Sequence, residues 1–133
     1  MVTRSYIKLY GPPVLEAIRT LEKVSVEIPE VSIMNMIVWR EIARKIAIGL
    51  RESPVGFMVM MAELAMNYYA SSGISLPSER SSSILSKSGE SLGEYDFFFE
   101  WSKKPDREQL NKLIEKIDEE LARLGCTYTI TTK

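Results

Sequence analysis

The sequence predicts an α+β fold of the ferredoxin-like, split βαβ type: a two-layer sandwich on an antiparallel or mixed sheet, with a helical hairpin as an insertion. Three observations predict it. Both ends of the chain read as strand, helix, strand. A long segment of helical period separates them, so the insertion follows the second strand. Alternating residues in the strands supply the one apolar sheet face that a two-layer domain needs.

Residues 4–10 open the series, with Ile7 and Leu9 alternating against Tyr6, Lys8 and Tyr10, until Gly11 ends the strand. Pro12 and Pro13 suit a first helical turn, where a missing N–H costs nothing, and Val14, Ile18 and Leu21 follow at helical spacing. From Val24 the period switches to two, with Val24, Val26 and Ile28 on one side. This predicts a second strand over 24–28, stopped by Pro29. Residues 33–70 read as a helical hairpin broken at Ser53 and Pro54, an N-cap serine followed by an N1 proline. Residues 71–93 hold ten serines with Gly73, Gly89 and Gly93, which predicts a long flexible loop.

Order returns at Glu94, where Tyr95, Phe97, Phe99 and Trp101 alternate with Glu94, Asp96, Phe98 and Glu100. Pro105 then opens a helix whose Leu110, Leu113, Ile114, Ile117, Leu121 and Leu124 form one stripe. Glu108 with Lys112 and Glu119 with Arg123 are favourable i,i+4 pairs, and Gly125 ends the helix. Thr127, Tyr128, Thr129, Ile130 and Thr131 make the terminal strand.

Composition bounds the function. The 133 residues are one domain's worth, with 45% hydrophobic and 26% charged side chains. Seventeen basic residues against eighteen acidic ones, and a pI near 5.6, make nucleic acid an unfavoured partner. The run over 55–70 is interrupted by Glu63 and is shorter than the roughly 20 residues of a membrane helix, so no membrane is implied. The one cysteine, Cys126, and an N-terminus without an apolar leader point to the cytoplasm. Few Asn, Gln and Cys and no His hint at a thermophilic source.

Without histidine, Ser-His-Asp and Cys-His catalysis and most zinc sites are excluded. The usual nucleotide, phosphate and redox motifs are absent too, so no cofactor and no metal are implied. Tyr6, Tyr10 and Phe98 fall on the sheet face away from the helices, where they would bind a partner unless the hairpin folds over them; both readings stay open. Exposed rings on central strands invite comparison with an RNA-binding sheet, but Glu94, Asp96 and Glu100 on the same face would repel phosphates.

Glu63, the one charge in its apolar run, is a candidate proton-transfer group if buried, and Asn67 shares its face. Arg40, Arg44 and Arg51 fall within about 40° on a helical wheel, a ridge suited to a small anionic ligand or to plain solvation. Six methionines in the hairpin supply adaptable packing for an apolar ligand or an interface. The leading expectation is a cytoplasmic homo-oligomeric binding or interaction module of unknown ligand. The rival is a histidine-independent enzyme with a carboxylate/arginine pocket made from Glu63 and these arginines, closed by 71–93.

Overall fold

The computed structural model describes residues 2–47 and 53–133, and the expected ridge residue Arg51 lies outside them. The chain runs β1 (Arg4–Tyr10), α1 (Val14–Val26), β2 (Val31–Asn35), α2 (Met36–Ala47), α3 (Pro54–Ser71), a 3-10 turn (Ser78–Arg80), β3 (Phe97–Trp101), α4 (Arg107–Leu124) and β4 (Thr127–Thr132). It is an α+β molecule with one four-stranded sheet of order β2-β3-β1-β4, antiparallel at every neighbouring pair.

Register fixes two sheet faces. Ile7 sits opposite Phe97 and Ile130, Leu9 opposite Tyr128, and Ile33 opposite Phe99, which puts these residues on one side. Tyr128 hydrogen-bonds Asp118 of α4 and Asn35 hydrogen-bonds Glu22 of α1, so this is the side the two long helices cover. Ala17, Ile18, Leu21 and Val24 of α1 and Leu113, Ile117 and Leu121 of α4 close the core there.

Local signals explain the ends of α3 and α4. Ser53 Oγ accepts from the Gly56 N–H, and Pro54 begins the helix. Asp106 and Gln109 form a reciprocal capping box, so α4 starts two residues beyond Pro105, and Gly125 ends it at φ +71°.

The strand expected over 24–28 is instead the last turn of α1, and β2 begins at Val31. Val24 and Ser25 are both buried, and Val24 continues the stripe of Ala17 and Leu21. Packing on the sheet therefore overrides the β-branched alternation. The hairpin accordingly begins at Met36, not at 33.

The second sheet face centres on Tyr6, Phe98 and Met34, and there it too is covered. Phe98 has no exposed surface, and Tyr6 stacks 4.7 Å from Tyr95 and 5.5 Å from Phe98. Arg4 lies over Phe98, binds Glu100 at 2.9 Å and reaches Glu90 at 3.9 Å; Lys133 caps both Tyr6 and Tyr95. Of the two readings left open for Tyr6, Tyr10 and Phe98, the covered one holds for Tyr6 and Phe98, and Tyr10 is 47% exposed. The chain's own residues cover the middle of this face, at Tyr6, Phe98 and Met34, while Tyr10 and the β4 threonines Thr127, Thr129 and Thr131 stay exposed on it.

Residues 71–93, expected as a flexible loop, carry four buried apolar side chains: Ile74, Ile84, Leu85 and Leu92. Ile33 N–H donates to Ile84 O and Ser86 N–H to Ile33 O, so this segment pairs with the outer edge of β2. Arg80 pins it, donating to the carbonyls of Val26 and Val31 at 3.1 and 2.9 Å. The strand expected from Glu94 starts only at Phe97. Before it, Asp96 N–H bonds Ile7 O and the Asp96 carboxylate accepts from Leu9 N–H, so a side chain replaces the next rung of the ladder.

Candidate functional site

The site is built on α3, and its orientation is set by a buried polar cluster. Glu22 of α1 has no exposed surface; its Oε2 accepts from Asn35 Nδ2 at 2.9 Å, while its Oε1 has no hydrogen-bond partner of good geometry. Asn35 Oδ1 in turn accepts from Val38 N–H and caps α2. Ser25 Oγ, three residues on from Glu22, donates to the Glu22 carbonyl at 2.5 Å and lies 3.2 Å from the Tyr69 hydroxyl of α3. Burial pushes the Glu22 carboxyl above its usual range, opposed by the Tyr68 hydroxyl, by Asn35 and by the charge of Arg19. Burial likewise pushes both tyrosine hydroxyls up, so they remain protonated.

This cluster joins α1, β2, α2 and α3 and fixes which way α3 faces. Met61, Leu64, Ala65 and Tyr69 point inward at i, i+3, i+4 and i+8. One flank carries Val55 (70% exposed), Val59 (52%) and Met66 (52%), with the half-buried Ala62 between them. Met58 (54%) lies beside them nearer the inward side, while Glu63, Asn67 and Ala70 face directly outward. One face of an 18-residue helix therefore presents a continuous apolar stripe to solvent.

A shallow groove flanks the stripe, lined by Glu41, Lys45, Val59, Met60, Glu63 and Asn67. Glu63 and Asn67 share it as their spacing predicts, and both are exposed. Neither Arg40 nor Arg44 lines it: Arg40 is exposed, and Arg44 pairs with Glu41 on its own helix at 3.0 Å. The carboxylate/arginine pocket thus does not assemble among the described residues, because Glu63 lies on α3's outer side while the arginines keep to α2's surface. Cys126 is free and buried, which pushes its thiol pKa up.

Glu22, Asn35 and Arg80 are the residues that the sequence reading missed. A signal existed for Glu22, which lies four positions after Ile18 and one before Lys23; reading α1 through Val26 puts it on the buried side beside Leu21 and Ser25. Among the described residues no helix is long and apolar enough to cross a membrane. No family model matches the chain, and no curated protein or solved structure shows significant similarity to it.

Proposed function

We propose that this chain is a small cytoplasmic interaction module that self-associates through α3, built on a ferredoxin-like scaffold. The observation that carries the reading is the exposed stripe of Val55, Met58, Val59 and Met66, apolar surface of the kind that partners cover. The scaffold reading rests on the strand order and on α1 and α4 as the connections within two βαβ units. The compartment reading rests on a lone cysteine without a disulfide.

A second copy is the occupant that suits this surface. In a twofold interface each patch must complement itself. Crossing two α3 helices antiparallel puts Val55 of one copy against Met66 of the other and Val59 against Ala62, whose small side chain lets the helices approach. The flanking groove carries both signs of charge, Lys45 beside Glu41 and Glu63, so a twofold contact has Lys45 of one copy to set against a carboxylate of the other.

Light scattering at micromolar concentration tests this. The expected mass is twice the 15.1 kDa of one chain. Val59→Glu, a change on exposed surface, is expected to weaken association at least about a hundredfold, about 2.8 kcal/mol, by burying an unpaired charge. A wild-type species of single-chain mass, or a variant as dimeric as the wild type, contradicts the proposal.

A further inference from the structure

A cleft of about 260 Å³ lies between α2, α3 and residues 86–89, separate from the exposed stripe. Its walls are Met34, Trp39, Ile42, Phe57 and Met61. Its rim is Ser86, Lys87 and Ser88, with no carboxylate in the lining. Three other clefts each carry carboxylates: Glu27, Glu30, Asp106 and Glu108 in one, Glu41 and Glu63 in another, Glu108 and Glu115 in the third. Lys87 forms no ion pair among the described residues; its ammonium donates to the carbonyl of Ser82, which leaves donors free. The Ser86 hydroxyl, buried at the rim, is held 3.0 Å from that of Ser88.

We infer that this cleft binds a small amphipathic anion, a single ring or short alkyl chain ending in a carboxylate. The apolar walls take the ring or chain and Lys87 with the serine hydroxyls takes the charge, the combination of apolar lining and few convergent polar groups that marks ligand sites. The volume suits that size, since a cavity of about 150 Å³ already holds a benzene ring. The inference does not depend on self-association through α3, because the walls use that helix's inner side.

The test uses octanoate and benzoate as probes, with octanol and octylamine as controls of similar apolar size. The chain has two tryptophans, so Trp101→Phe leaves Trp39 in the cleft wall as the one fluorescent reporter. Octanoate is expected to change Trp39 emission saturably and to bind at least tenfold more tightly than octylamine. Lys87→Ala removes that preference, and Lys87→Glu reverses it. Thermal stabilisation of the wild-type chain by octanoate but not octylamine gives a readout that needs no tryptophan substitution. The inference is overturned if neither anion binds saturably at millimolar concentration, if octylamine binds as well as octanoate, or if Lys87→Ala binds octanoate like the wild type.

Discussion

A carboxyl group with no exposed surface is stable only where hydrogen bonds or protonation replace the water it has lost. Glu22 has one hydrogen bond of good geometry, from Asn35, and burial raises its pKa above the unfolded value of 4.5. The folded state therefore holds this proton more tightly than the unfolded chain. The stabilisation is complete below the unfolded pKa and is lost as pH rises through the raised folded value, above which the fold carries a buried charge. Glu22→Gln keeps the shape and removes that charge. Denaturant titrations across pH should show the variant gaining on the wild type through this window and levelling off above it; a difference independent of pH would refute the assignment. The spacing from Ile18 places this residue on α1's buried side only once the helix is read through Val26, and its partners Asn35 and Tyr68 come from distant positions.

At the scale of elements, what the sequence discloses is what short-range chemistry determines. Ser53 with Pro54 and Gly125 are cap signals readable within four residues, and α3 and α4 carry them in the structure; the equally local box of Asp106 with Gln109 starts α4 in place of the expected Pro105. Ser53→Ala should destabilise the chain by about 1 kcal/mol in urea unfolding, through the lost bond to the Gly56 N–H. No measurable change would mean that α3 is held by packing alone. The second strand was not legible because Val24, Val26 and Ile28 satisfy a strand's period, and only the contact of α1 with the sheet decides for helix. Residues 71–93 hid their order for a different reason. Ile74, Ile84, Leu85 and Leu92 have no period, and what organises them, the β2 edge and the Val26 and Val31 carbonyls that Arg80 grips, lies far from them in sequence.

For the whole molecule, these pieces divide labour. The sheet, α1 and α4 form one body with buried rings on both faces, so of the two readings the sequence left open for Tyr6 and Phe98, partner-binding patch or covered core, the structure shows core. The insertion is different: Tyr69, placed by Ser25, holds α3 against that body while the flank of Val55, Val59 and Met66 stays apolar and open. The methionines of the hairpin were legible as adaptable packing, but which of them face outward depended on the inward turn of Met61, Leu64 and Tyr69. Self-association through that flank is the central claim, and a cross-link at its centre tests it most directly. Ala62→Cys in a Cys126→Ser background, mildly oxidised at micromolar concentration, should give a covalent dimer, whereas Asn111→Cys on α4 in the same background should not. Failure of the Ala62→Cys chain to cross-link while folded, or equal cross-linking at both positions, would contradict the account.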